Sequence, residues 1–132
     1  MDDDQQKLVA ELRALQSRGD QAQQQLSAIQ AAASDASAAL SVLKNSSQLS
    51  GRENLFPIGA GVFLKAALPD SKHVLLDIGA GVIAERSTED ATKVVEERLK
   101  QLQQASDRIQ SDLIAMARRS DELSSRLSSL QK

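Results

Sequence analysis

The chain has 132 residues, no Cys, Trp or Tyr, and two aromatic residues, Phe56 and Phe63. That is too little aromatic area for an ordinary compact core, and Ala, Leu, Gln, Ser and charged residues in long stretches are the mark of long helices. With 16 basic against 18 acidic residues and no basic stripe, the footprint for nucleic-acid phosphates is missing, and without Cys there is neither a disulfide framework nor a thiol metal site.

The first zone, residues 1–48, opens on Asp2, Asp3 and Asp4, which complement a helix dipole. From about Asp4 to Ser47 it predicts one helix. Steps of four and three select Leu8, Leu12, Leu15, Gly19, Ala22, Leu26, Ile29, Ala33, Ala36, Leu40 and Leu43, an unbroken heptad seam with Gly19 its weak member. Asn45, Ser46, Ser47 and Gly51 supply the stop signal. The acidic, polar start is unlike a secretory signal, and no apolar run is expected to be long enough to span a bilayer.

The second zone, residues 49–87, changes character. Apolar and β-branched runs bounded by Gly-Ala-Gly and Pro-Asp-Ser predict four short strands, at about 55–59, 62–68, 73–78 and 82–86. Ile-Gly-Ala-Gly-Val occurs at 58–62 and again at 78–82, so the insert reads as two similar β-hairpins. Their strands are apolar on both faces: Val62, Leu64 and Leu68 point one way and Phe63 the other, and Leu75 opposes Val74 and Leu76. A lone two-stranded hairpin is marginal in water and its edges invite pairing, so these strands must bury themselves against copies or relatives. Closure into a barrel between subunits would remove the edges. The residues expected to carry that assembly are Phe56, Ile58, Val62, Phe63, Leu64, Val74, Leu76, Ile78, Val82 and Ile83.

The third zone, residues 88–132, predicts a second helix from about Thr88 to Gln131. Its seam reads Thr92, Val95, Leu99, Leu102, Ser106, Ile109, Leu113, Met116, Ser120, Leu123, Leu127 and Leu130. Ser87 and Asp90 resemble a capping box. Glu89–Lys93, Glu96–Lys100 and Glu122–Arg126 are i,i+4 pairs in the favourable order. Each helix would be about 65 Å long at ~1.5 Å per residue. Paired antiparallel with positions summing to 135, small seam residues face large ones, Gly19 opposite Met116 and Ala22 opposite Leu113. The fold class expected is α+β: a long antiparallel coiled-coil hairpin with two β-hairpins inserted between its helices, their strands joining an intersubunit β-barrel.

No catalytic constellation emerges. Each Gly-x-Gly lacks the third glycine of a dinucleotide fingerprint, because Leu64 and Ala84 stand there. His73 has neither a second His nor a Cys to share a metal, and Asp77 and Glu85 lack a partner base or nucleophile. Neither an enzymatic activity nor a cofactor or metal is expected.

Matched heptad arms flanking two hairpins, with Phe56-Pro57-Ile58-Gly59-Ala60-Gly61-Val62-Phe63 opening the insert, closely resemble the prefoldin family over essentially the whole chain. Because the hairpin is doubled, and Ile78-Gly79-Ala80-Gly81-Val82 is followed by Glu85-Arg86, the likeness is to the alpha class of archaeal type. The arm core departs from the family in its richness in Ala and Ser.

The resemblance implies a cytoplasmic hexamer of two alpha-class and four beta-class subunits, in which a second copy of this chain takes part. Such complexes capture unfolded polypeptides between tentacle tips without nucleotide and pass them to a group II chaperonin; neither nucleic acid nor a membrane is a partner. The tip residues expected to meet clients are Leu8, Val9, Leu12, Leu123, Leu127 and Leu130, with Val9 beside the seam. The competing reading is a structural coiled-coil adaptor whose β insert docks one partner.

Overall fold

The computed structural model describes residues 2–131. In chain order it contains helix α1 (Asp3–Lys44), a 3-10 turn (Ser46–Gln48), strands β1 (Glu53–Gly59), β2 (Val62–Ala67), β3 (His73–Gly79) and β4 (Val82–Ser87), and helix α2 (Thr88–Leu130). The two-helix, two-hairpin architecture expected from the sequence is thus present.

The helix limits follow from local chemistry. The Gln5 backbone N–H donates to Asp2 Oδ1 at 2.8 Å, so Asp2 is the N-terminal cap and Asp3 and Asp4 occupy the first turn. At the far end Asn45 Nδ2 donates to the Ser41 carbonyl and Ser46 Oγ to that of Leu43, satisfying acceptors that the helix leaves open. Helix α2 starts on the Ser87 cap, whose Oγ accepts the Asp90 N–H at 3.0 Å. Of the three expected i,i+4 pairs, Glu89–Lys93 forms at 3.9 Å. Glu96 instead pairs with Lys44 on the other helix, and Glu122 with Arg119. For Glu96 an interhelical partner within reach displaces the intrahelical one, and Glu122 meets Arg119 three residues back on its own helix; each exposed pair contributes little, so such exchanges are easy.

One expectation fails. Within α1 an 18-residue window reaches a mean hydropathy of 1.2, which by length and composition alone would let the helix cross a bilayer. The cause is alanine, which raises hydropathy without adding bulk, concentrated from Ala28 to Ala39. The same stretch holds Asp35 and the half-buried seam positions Ile29, Ala33 and Ala36.

Contacts gather in two compact units. In the first, the residues up to Ala33 pack with those from Gln101 onward. Here α1 and α2 run antiparallel, with the N-terminal turns of one against the C-terminal turns of the other. Leu8, Leu15 and Leu123 form the core, and Leu12, Met116 and Leu127 pack on it. These are the seam residues that the 135 register gathers at this end. Every seam position predicted on α1 is buried or half-buried, as is every one on α2 except Leu130.

The second unit, Ser34–Lys100, holds both hairpins and the adjoining helix segments. Strands β1 and β2 form one antiparallel two-stranded sheet, and β3 and β4 another. In both, the extra residue of a bulge, Ile58 or Ile78, precedes the turn. Pro57, which has no N–H to donate, fits because β1 has a free edge. The turn residues Ala60-Gly61 and Ala80-Gly81 all have positive φ, as a type I′ turn requires. Asp77 Oδ1 accepts the Gly79 N–H at 2.8 Å and fixes the second bulge. Ala91 and Val95 are buried on α2, and a groove bounded by Val74, Leu76, Ala91, Val95 and Leu43 runs between the second hairpin and the helices. Arg98 donates to the Asp77 carbonyl at 2.6 Å, tying that hairpin to α2.

Candidate functional site

The residues expected to bear on function lie in two regions, the open end of the helices and the faces of the hairpins.

At the open end the seam leucines fall into three grades. Leu123 is fully covered and Leu8 is buried, so both belong to the helix–helix core. Leu12, Leu127 and Val9 are half-buried. Leu130 is 45% exposed. Val9, one residue off the seam, is therefore partly covered by its neighbours rather than open. Asp4, Lys7, Glu11, Arg126 and Ser129 surround Leu8 and Leu130, giving an open groove with a charged rim over an apolar floor. Just inside, Arg119 Nε donates to Glu11 Oε1 at 3.0 Å and its Nη1 to Glu122 Oε2 at 3.3 Å. Hydrogen bonds to Glu11 first, then to Glu122, push the guanidinium pKa above its usual value, so the Arg119 side of this clasp between the helices stays charged at any physiological pH. Its role was not legible in the heptads, because position 119 lies beside the seam.

On the hairpins the apolar side chains face solvent. Leu55, Phe56, Ile58, Val62, Phe63 and Leu64 on the first, and Leu75, Ile78, Val82 and Ile83 on the second, are all between 40% and 75% exposed. Of the residues expected to carry assembly, only Val74 and Leu76 are half-buried, because they face the groove toward α2. Leu55 and Leu75 were not among the expected set, yet they are open too, Leu75 the most of all. The sign was there: each sits one residue before an expected contact, on the opposite face of a strand apolar on both sides.

The loop between the hairpins is set by Asp70. Its Oδ1 accepts the Lys72 N–H at 2.7 Å and its Oδ2 lies 2.7 Å from His73 Nδ1. Thr88 then closes the loop, its N–H donating to the Lys72 carbonyl and its Oγ1 to that of Ser71. His73 is thus occupied by a carboxylate. No group of three or more metal-ligating side chains occurs among the described residues.

Comparison with known proteins agrees with this geometry. The family described as prefoldin subunit matches residues 2–132. The prefoldin subunit alpha of Methanoculleus marisnigri is 33% identical over 104 residues, covering 79% of this chain and 70% of that one. That of Pyrococcus horikoshii is 29% identical over 128 residues, 96% of this chain and 86% of its own. The cryo-EM structure of filamentous PFD from Methanocaldococcus jannaschii aligns with a TM-score of 0.65 at 17% identity, covering 96% of this chain and 99% of that chain, which speaks for the fold. This chain belongs to the prefoldin family of chaperone subunits, in its alpha class of archaeal type.

Proposed function

We propose that this chain is a subunit of an ATP-independent holding chaperone of the cytoplasm, which captures unfolded polypeptides at its helix tips and delivers them to a group II chaperonin. The observation that carries the reading is the wet apolar surface of the hairpins. Ten large apolar side chains on two isolated two-stranded sheets are at least 40% exposed. Half-covered side chains of this kind forfeit about 1 kcal/mol each, about 10 kcal/mol together, against ~1.5–3 kcal/mol for full burial of one. Burial against other subunits recovers that energy, and closure of the strands into a shared β-barrel removes their free edges. Two alpha-class and four beta-class chains is the assembly that the alpha class implies.

The tips supply the client surface. A holdase must favour unfolded chains, so it needs apolar surface that folded proteins do not match. Leu130 and the half-buried Val9, Leu12 and Leu127 offer it directly; Leu8 and Leu123 would contribute only when the terminal turns fray. Each contact is weak, and several tethered tips around one client provide avidity.

The test is light scattering of an aggregating unfolded enzyme, with the assembled complex and with a complex lacking residues 1–12 and 123–132. Suppression by the first and loss of suppression with the second is expected. Equal aggregation in every sample would leave a structural adaptor as the better reading. Native mass of the chain with a co-expressed single-hairpin relative tests assembly, and a stable monomer there would refute it.

A further inference from the structure

In the unit formed by the residues up to Ala33 and from Gln101 onward, one ion pair joins α1 to α2 among the described residues, Glu11–Arg119. Arg119 also holds Glu122 on its own helix at 3.3 Å, so one guanidinium is shared by a carboxylate on each helix. Glu11 and Arg119 are both half-buried, where solvent screens a pair less than on open surface. The seam position next to Arg119 is Ser120, a small polar residue between Met116 and Leu123. At this level α2 adds little apolar bulk to the seam, and the charge tie stands beside it.

The clasp divides the tip. On its terminal side lie about two turns of α1, with Leu8 and Val9, and about three of α2, with Leu123, Leu127 and Leu130. Behind it lie Leu15 and Met116, with Leu12 at its own level. The charged groups beyond it, Asp4, Lys7 and Arg126, line the open groove, and none of them is in a salt bridge among the described residues. The terminal turns are therefore held together by their seam leucines, and helix ends fray. The first ion pair between the helices that such fraying meets is Glu11–Arg119.

We propose that Glu11 and Arg119 are positioning residues for client capture, their ion pair setting how far the two helices part from the open end. Leu8, Leu123 and Leu127 on the terminal side open to the apolar segment of an unfolded polypeptide. Leu15 and Met116 behind the clasp stay packed, so the helices close again when the client leaves. A tip without the clasp opens further, presents more apolar surface and holds its client longer. This rests on the tip-capture reading above and names what limits the opening.

Amide hydrogen exchange and client release test it on the full chain assembled with a single-hairpin relative. The client is fluorescently labelled lactalbumin, reduced and carboxymethylated so that it stays unfolded. In the wild type, exchange should be fast on the terminal side and slow at residues 12–15 and 112–118. Glu11→Gln or Arg119→Gln should speed exchange at those residues about threefold at low salt, the size of a partly screened ion pair, and by less at high salt. Client should leave both variants about threefold more slowly at low salt. Glu11→Lys sets cation against cation and should exceed either. Arg119→Lys keeps a cation within reach of Glu11 and should bring exchange and client release back toward the wild type.

Wild-type exchange behind the clasp in both glutamine variants, faster exchange without slower client release, or an effect that high salt leaves in place would each overturn the proposal. So would Arg119→Lys behaving as Arg119→Gln does. In those cases, client capture by the wild type leaves the chaperone reading standing. A wild-type complex that takes up no client is that reading's own failure, and the role of the clasp falls with it.

Discussion

Ala60 and Ala80 hold left-handed backbone, φ +54 and +53, where a side chain with a Cβ is disfavoured by about 1 kcal/mol. Ala80→Gly relieves that strain but loosens the unfolded chain, so a net gain of about 0.5 kcal/mol is expected. Gly79 stands at φ +117 and a Cβ there would meet nothing within 4 Å, so the penalty of Gly79→Ala is conformational alone, about 1–3 kcal/mol. Thermal unfolding should therefore move in opposite directions for these adjacent changes, and movement in the same direction would contradict the turn geometry. At Asp70 the Lys72 backbone N–H first, then His73, hold the carboxyl below its ordinary 3.8. A depressed carboxyl stabilises the fold above the unfolded pKa and ceases to do so as pH falls through the folded one. The loop should thus loosen as acid protonates that carboxyl. The amide resonance of Lys72 should titrate with a midpoint below 3.8, and in Asp70→Asn that titration should vanish.

A helix seam is an element whose residues are unequal, and its open end makes the inequality measurable. Leu123 is fully covered by the core that includes Leu8 and Leu15, whereas Leu130, two seam positions later, is 45% exposed. Leu123→Ala should cost about 2–4 kcal/mol, the transfer loss plus the cavity, and Leu130→Ala under about 0.5 kcal/mol. Helicity followed through a thermal melt compares them. Client protection should show the reverse order, with Leu130→Ala weakening it while leaving the melt in place. If Leu130→Ala leaves protection intact, that residue only finishes the helix. The Arg119 clasp belongs to the same element: its partners lie on both helices, so Arg119→Gln should loosen the end more at low salt than at high salt, where screening has already weakened the pair.

At the scale of the whole molecule, the hairpins contain more apolar surface than the chain itself covers. Phe56→Asp or Val82→Asp should leave the helices formed, because the seam that holds them lies elsewhere, and should shift native mass toward smaller species. Retention of the full assembly by either variant would mean that those faces are not what subunits share. The hydropathy of α1 is read at this scale too. In its apolar stretch the seam residues Ile29, Ala33, Ala36, Leu40 and Leu43 are half-buried, while Ala28, Ala31, Ala32, Ala38, Ala39 and Val42 stay exposed.

Sequence alone determined the helices, their seam and the doubled hairpin, because each is written in local periodicity: steps of three and four, short apolar runs, and Gly-Ala-Gly at both turns. It also marked the hairpins as too apolar to stand alone. Only the tertiary structure decided which face of the second hairpin is spent on the helices and which is left open, since Val74, Leu75 and Leu76 are alike in hydropathy and differ only in what lies opposite. It likewise decided that Glu96 turns to Lys44, that Arg119 bridges to Glu11, and that Leu123 is covered where Leu130 is not. Those outcomes depend on groups brought together from distant positions, and heptad spacing within one helix records nothing of the distance to the other.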